Sequence, residues 1–425
     1  MIDIKQIRET PQRFKDACKA KGFGVNIDRL LEVHGEIVGA KTALQHILTE
    51  KNRIGKSIRN LSGQDKESAL SQLAELKKTE AWHDQKVKEL QPEFDELMLQ
   101  VPQPADEGVP IGKDDTENVE IRREGHVREF DFEPKDHVQL GLDLGIMDIE
   151  RGVKLAGTRN YILKGDGALL HWAVLRFAMD LMVSRGYVPF SVPVLIKDEA
   201  MTGTGFFPGS EDQTYQMEKD QLNLAGTAEV PLTAYRMGEI LKADELPLKY
   251  VGLSTCFRRE AGAAGKDTYG LYRIHQFDKV EQVVICGNSV EQSNRFHDEI
   301  LANAEAVMQA LELPYRVVNV CTGDLGRGQA KKFDIEAWMP SRGNYCETHS
   351  ASKLYEFQAR RMNLRYKDPA TKKNLFCHTL NNTVIASPRV LIPVLELCQN
   401  SDGSVTIPEV LRPYMNGRER IAKAT

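Results

Sequence analysis

Between Leu30 and Val101 apolar residues recur every three or four positions, with one interruption. Leu30, Val33, Ile37, Ala40, Leu44, Ile47, Ile54, Ile58 and Leu61 form a first run, broken only by Lys51. Ala69, Leu73, Leu76, Val87, Leu90, Phe94, Leu97 and Val101 form a second, with Glu80 and His83 at the same spacing. A 3.5-residue period is the pattern of helices that wrap around each other. Ser62-Gly63-Gln64-Asp65 supplies turn formers where the chain must reverse. Residues 27–101 are therefore expected to be an antiparallel coiled-coil hairpin. Each helix of roughly 35 residues reaches about 50 Å at 1.5 Å per residue. Such a seam is buried helix against helix, not in a globular core, so the hairpin is expected to project as an arm. Lys51 and Glu80 in the seam are expected to loosen its packing midway.

The arm's charge is uneven. Lys51, Arg53, Lys56, Arg59 and Lys66 lie toward the tip, while Asp28, Glu32, Glu36, Glu93, Asp95 and Glu96 lie toward the base. A basic tip can track nucleic-acid phosphates; charge alone favours a solvated helix surface. The whole chain, with 425 residues and a net charge of −5, has no basic tail and no gross polyanion affinity. Its beginning, MIDIKQIRETPQRFK, is charged from the third residue and lacks an apolar signal core. No run approaches the roughly 18 apolar residues of a membrane helix, so no membrane partner is expected. Seven scattered cysteines without a C-x-x-C pair suit a reducing, cytoplasmic setting.

VPQPADEGVPIGKDDTEN, residues 101–118, reads as a linker. It divides an N-terminal domain, 1–105, from a larger domain, 106–425. Residues 3–21 read as one short amphipathic helix ahead of the arm. In the larger domain Leu169–Ser184 reads as a helix ended by Arg185-Gly186. Tyr187–Ile196, with Pro189 and Pro193, reads as an edge strand. Val280–Cys286, Tyr315–Val320 and Phe333–Trp338 are further strands. The order suggests an α+β domain around a mainly antiparallel sheet.

Chemistry concentrates in FRREAGAAGKDTYGLYRIHQFDKVE, Phe257 to Glu281. Two permanently charged arginines, Arg258 and Arg273, an aromatic ring and several carboxylates suit the binding of a nucleotide triphosphate beside an amine. Gly262, Gly265 and Gly270 predict a loop that joins two strands and sets the arginines on neighbouring strands. Other motifs fail on inspection. Gly55-Lys56-Ser57 lacks the first P-loop glycine, since Glu50 stands there, and it lies in the heptad helix. Gly203-x-Gly205 lacks a third glycine. Cys346, His349, Cys377 and His378 have no paired zinc spacing, so no zinc is expected.

The Phe257–Glu281 window closely resembles motif 2 of class II aminoacyl-tRNA synthetases, in the form found in the seryl-tRNA synthetase family. GTAEVPL (226–232) resembles that family's amino-acid-binding strand, and NYCETHSASKLYEFQARRMNLRY (344–366) its Mg-ATP segment. HTLNNTVIASPRVL (378–391) and LELCQNSDGSVTIPEVLRPYM (395–415) resemble motif 3 and its continuation. MTGTGFFPG (201–209) and the strand ending at Pro193 resemble the motif 1 region, and the arm is itself a family feature. The resemblance implies a class II antiparallel sheet flanked by helices, a homodimer, and substrates L-serine, ATP with Mg²⁺, and tRNA(Ser), with tRNA(Sec) where that pathway exists. It also implies roles. Arg258 and Arg389 are catalytic, on the serine carboxylate and phosphates. Thr227, Ala228 and Glu229 hold the serine amine, and Glu281 and Thr383 receive its hydroxyl. Arg259, Glu260, Arg273, Phe277, Thr348, His349 and Ser350 contact ATP, Phe277 by stacking on adenine. Glu347 and Ser350 carry the Mg²⁺ bound to ATP. Lys51, Arg53, Lys56 and Arg59 serve the tRNA-binding arm.

Three departures stand out: Arg259 where many relatives have Ser, Ala351 where many have Cys, and HTLNNT for the commoner HTLNGSG. Two rival activities share parts of the pattern. A ligase that loads an amino acid onto a carrier protein would not need a long RNA clamp. A non-catalytic coiled-coil RNA-binding protein would not need Arg258, Glu347 and Arg389 together.

Overall fold

The computed structural model describes residues 1–262 and 267–423; Gly265, expected to help form the loop turn, lies outside them. The chain separates into two compact units, Met1–Pro102 and Gln103–Thr425, where the linker composition pointed to a boundary after residue 105.

The first unit is helical. In place of one helix over 3–21 there are two, α1 (Ile4–Glu9) and α2 (Pro11–Lys21). Thr10 leaves helical geometry at φ −136°, and Pro11, which has no N–H to donate, opens the second helix. The arm is α3 (Ile27–Ser57) and α4 (Gly63–Gln100), joined through a short 3-10 turn at Ile58–Asn60. Asn26 caps α3 by accepting from the Arg29 N–H at 3.0 Å. Leu30, Val33, Ile37, Ala40, Ile47 and Ile54 are buried, whereas Leu73, Leu76, Val87, Leu90 and Phe94 stay half-buried. Two helices alone cannot enclose a seam on all sides.

Lys51 and Glu80 do not loosen the seam. Their side chains face each other across it at 2.6 Å, 30% and 33% exposed. A matched polar pair inside an apolar seam penalises any slipped register. Arg29 grips Glu93 with two hydrogen bonds of 2.7 and 2.8 Å, and Lys86 meets Glu36 at 2.8 Å. The pairing thins the basic tip. Lys51 is engaged by Glu80 and Arg53 by Glu50 at 2.8 Å, while Lys56 and Arg59 are exposed with no ion pair among the described residues.

The second unit is built on eight strands: β1 (Val119–Glu124), β2 (Val188–Phe190), β3 (Leu248–Phe257), β4 (Gln276–Cys286), β5 (Tyr315–Asn319), β6 (Lys331–Met339), β7 (Asn344–Tyr355) and β8 (His378–Ser387). Their order in the sheet is β1-β5-β6-β7-β8-β4-β3-β2, antiparallel throughout except for β2 beside β3. The expected strand Tyr187–Ile196 is divided. Only Val188–Phe190 joins this sheet, at its edge; Leu195–Ile196 pairs with Leu222–Leu224 in a separate one. Pro193 lies between them, without a donor for either ladder.

Four helices matter to the site: α5 (Asp166–Ser184), α6 (Glu229–Ala234), α7 (Val290–Ala310) and α8 (Phe357–Met362). By length and composition alone α5 approaches a membrane span, a match the sequence reading did not make. Its Leu170, Val174 and Ala178 instead pack into the main core beside the sheet. There Val280 and Val284 of β4 meet Phe296 and Ile300 of α7, each such side chain contributing about 1.5–3 kcal/mol. On the opposite face Val283 and Ile285 pack with Ala228 and Leu232 near α6 and Met362 of α8. Successive strand residues point to opposite faces. Phe277, Lys279 and Glu281 therefore share the second face, away from α7.

Candidate active site

The second face of β4 carries a cleft lined by Arg258, Glu260, Leu271, Tyr272, Ile274, Phe277, Lys279, Glu347, Thr348, His349, Thr383, Ala386, Ser387 and Arg389. β3 and β8, more than a hundred residues apart, meet there on either side of β4: Phe277 pairs with Cys256 of β3, and Glu281 with Thr383 of β8. The connection between β3 and β4 is longer than expected. Arg258 lies just past β3 and Arg273 just before β4, so both arginines belong to the loop and not to neighbouring strands. Glu260 in that loop holds a left-handed φ of +52°, a conformation uncommon outside glycine.

Arg258 sits with its guanidinium 5.2 Å from the Phe277 ring centre, and its Nε donates to the Gly226 carbonyl at 3.4 Å. Arg273 does not line the cleft; it donates to Glu260 at 2.7 Å from behind. Arg259 is exposed, makes no ion pair among the described residues and is also absent from the wall; its backbone N–H donates to the Gln213 carbonyl at 2.9 Å. On the opposite wall Arg389 donates through Nε to the Tyr272 carbonyl and through Nη1 to the Glu347 carbonyl, both at 3.0 Å. Tyr272 is clasped between two guanidiniums, Arg342 at 4.2 Å and Arg389 at 4.4 Å. The Arg389 head is thus oriented from three sides before any ligand arrives.

A β-bulge decides what β7 presents. Ile335 pairs with His349 and Glu336 with Glu347, leaving Thr348 as the extra residue. Residues three apart on a regular strand face opposite ways. Here Glu347 faces with Glu336, and Ser350 with Asp334, so both share one face of β6 and β7. Burial raises the Glu347 carboxyl, but Arg389, Lys332, Arg258 and Arg273 outweigh it and hold the group below its usual range. Ser350 does not line the cleft and reaches Asp334. Thr348 and His349 are occupied within the fold. Thr348 Oγ1 donates to the Ile335 carbonyl at 3.1 Å, and His349 Nε2 bonds the Val384 carbonyl at 3.0 Å. Burial pushes the His349 imidazole down to about 4, so it is neutral near pH 7. Ala351 faces the other way, in the main core, where its carbonyl accepts from His297 at 3.0 Å.

The cleft ends at a polar cluster. Glu281 is 1% exposed and lies behind the wall, not on it. Lys279, 5% exposed and on the wall, forms an ion pair with its Oε2, and Thr383 donates to the same oxygen at 3.4 Å. Glu229, at the start of α6, accepts from Gln358 Nε2 at 2.8 Å, and Thr379 donates to the Gln358 carbonyl oxygen at 2.6 Å. Burial first, and the Glu281 charge second, push the Glu229 carboxyl up to about 7. Thr227 accepts from the Glu229 N–H at 3.1 Å, while the Ala228 side chain belongs to the apolar packing on this face. Thr227, Ala228, Glu229 and Glu281 adjoin the cleft without lining it.

Three residues that matter here escaped the sequence reading. Lys279 carried a signal, a charge at strand spacing between Phe277 and Glu281. Gln358 and Thr379 carried none, because each gains meaning only from its contact with Glu229 or with the other. Chemically the cleft offers cations and an aromatic face next to paired carboxylates. Hydrogen-bonding hydroxyls complete an acceptor for a phosphorylated, amine-bearing reactant.

The chain matches two family models. Residues 1–104 match the seryl-tRNA synthetase N-terminal domain and residues 213–397 the tRNA synthetase class II core domain (G, H, P, S and T). It is 45% identical to a serine–tRNA ligase of Deinococcus radiodurans, over 99% of this chain and 98% of that protein. Its fold superposes on seryl-tRNA synthetase from Pyrococcus horikoshii complexed with ATP, with a TM-score of 0.94, 37% identity and full coverage of both chains. It also superposes on the cytoplasmic serine–tRNA ligase of Naegleria fowleri in complex with AMP, with a TM-score of 0.88 and 31% identity over 98% of this chain and 96% of that one.

Proposed function

This chain belongs to the seryl-tRNA synthetase family, and we propose that it joins L-serine to tRNA(Ser) in two steps that use ATP. In the first, a serine carboxylate oxygen attacks the α-phosphorus of ATP, the bond to the β-phosphate bridge breaks, and pyrophosphate leaves. In the second, a hydroxyl of the terminal ribose of the tRNA attacks the seryl carbonyl carbon and AMP leaves. The carboxylate is already a nucleophile, so the first step needs alignment and charge neutralisation more than a base.

Arg258 serves the serine carboxylate and the α-phosphate, since its planar fork suits both. Phe277 takes the adenine ring, with Glu260 at its edge. Arg389 and Arg273 hold the distal phosphates, Arg273 once released from Glu260. Thr227 and Glu229 hold the ammonium, with Glu281 and Thr383 at the hydroxyl. A site built to bond that hydroxyl rejects alanine by up to about 10⁴-fold, because alanine leaves its polar groups unpaired. The observation that supports this division is the placement of Arg258, Lys279 and Arg389 on the cleft wall, with Arg258 and Lys279 near enough to act on the Glu229 carboxyl beside it.

No group of three or more metal-ligating side chains occurs among the described residues, so an ion would draw most of its ligands from the nucleotide. Glu347 and Ser350, hard oxygen donors on one face of β7, fit that demand. Mg²⁺ held by them on ATP would neutralise phosphate charge and stabilise departing pyrophosphate. Lys56 and Arg59 on the arm are the cations best placed for tRNA phosphates. A homodimer is supported by the open edge at β2 and by exposed Val188, Leu195 and Leu253. A cytoplasmic site is supported by seven cysteines that form no disulfide. Serine-dependent exchange of pyrophosphate into ATP tests the activity. Exchange with serine and not with alanine or threonine is expected; no exchange with any amino acid would overturn it.

A further inference from the structure

The geometry points to Lys279 as a positioning residue that sets serine affinity. Its ammonium balances the paired negative charge of Glu229 and Glu281, so that one carboxylate stays available to the substrate ammonium while the other keeps an oxygen for the hydroxyl. This inference rests on the serine-binding role proposed for those two glutamates.

Glu281 on β4 is close enough to Glu229 on α6 for its charge to raise that carboxyl, and Glu281 is itself buried. Arg258 acts on Glu229 from the cleft wall, as does Lys279. Gln358 of α8 donates a hydrogen bond to Glu229, and Thr379 of β8 fixes that amide in turn. From β3 the Cys256 thiol faces the same cluster, where burial keeps it protonated. Lys279 is therefore the one lysine among the described residues that meets this carboxylate pair. Together with Arg258 it makes two cations against two carboxylates, an arrangement complementary to a zwitterion.

Lys279 also directs Glu281. The ammonium ion-pairs with Oε2 and the Thr383 hydroxyl donates to the same oxygen, and no hydrogen bond among the described residues is found at Oε1. A carboxylate pinned through one oxygen presents the other in a defined direction. Lys279 and Thr383 form the wall, and Glu281 stands behind them. No covalent step is asked of the lysine.

Lys279→Met keeps the length of the side chain and removes the charge. Expected is a rise of about tenfold or more in the serine KM of ATP–pyrophosphate exchange, with the ATP KM within about twofold. The midpoint of the serine KM against pH also moves upward, because Glu229 loses a counter-charge. Lys279→Arg, which restores the charge, recovers part of the serine affinity. An unchanged serine KM, or serine and ATP KM rising together, overturns the role.

If Lys279→Met fails to fold, the pair Glu281→Gln and Lys279→Met/Glu281→Gln carries the test. The share of the lysine's effect that passes through Glu281 vanishes once that charge is gone and only its action on Glu229 remains, so Lys279→Met should raise the serine KM by about threefold on top of Glu281→Gln, against tenfold or more alone. A large further loss overturns the proposal. Absent serine exchange in the unaltered protein would instead overturn the activity itself.

Discussion

Serine binding should weaken as pH falls through 7, and Glu229 is the reason. Its carboxyl is lifted to about 7 by burial and by the neighbouring Glu281 charge, with Lys279, Gln358 and Arg258 pulling the other way. A lifted acid is neutral below its pKa and charged above it. The charged form is the one that attracts an ammonium. With a midpoint near 7, about nine-tenths of Glu229 is ionised at pH 8 and about one-tenth at pH 6. The serine KM should therefore rise about tenfold from pH 8 to pH 6, while the ATP KM, which does not depend on the Glu229 charge, does not follow it. Serine's own ammonium stays protonated throughout that window and adds no slope. Glu229→Gln should flatten the profile and raise the serine KM by roughly ten- to a hundredfold, the value of a hydrogen bond to a charged group. The assay is initial-rate ATP–pyrophosphate exchange at saturating ATP across pH 6 to 8. A serine KM flat over that range, or a profile that survives in Glu229→Gln, would refute the assignment of the ammonium to this carboxylate.

Further outcomes are expected on the same footing. Arg389→Ala should lower serine exchange about a hundredfold or more, as loss of a preorganised charge donor does. Arg389→Lys should rescue little, because one ammonium cannot serve the Tyr272 and Glu347 carbonyls from two directions. Deleting residues 30–98 should spare exchange and abolish tRNA charging; charging at an unchanged rate would remove the arm from tRNA recognition. Glu80→Leu should leave Lys51 unpaired in the seam and cost about 1 kcal/mol of arm stability, a modest figure because the pair is about a third exposed. Lys51→Leu/Glu80→Leu should recover that loss, as read from urea melts of the full chain by circular dichroism. A double variant less stable than Glu80→Leu alone would contradict the seam position of the pair.

Legibility followed the range of the interactions involved. The arm was readable because a heptad pattern is local; Leu30 to Ile54 fall on the buried side as the spacing requires. Lys51 and Glu80 were legible as exceptions, yet their meeting depends on the register of one helix against another. The single strand expected over Tyr187–Ile196 failed at Pro193, where each half found a different partner strand. In the site, the window from Arg258 to Glu281 was conspicuous by its residue types. Its members nevertheless take unequal places: Arg258, Glu260 and Phe277 line the cleft, whereas Arg273 and Glu281 stand behind it.

By itself the sequence determined the helical arm, the sheet-forming segments, the family and the set of charged residues from which a site could be made. Those follow from local periodicity and from the order of residues along the chain. Only the tertiary structure decided which of those charges face one another. The Thr348 bulge turns Glu347 and Ser350 to the same side, and the β4–β8 ladder sets Thr383 against Glu281. The alternation of β4 brings Lys279 to the one face where two carboxylates wait. Electrostatics falls off with distance and grows with burial. Its outcome at Glu229 and Lys279 is therefore a property of assembled neighbours, which no single stretch of the chain contains.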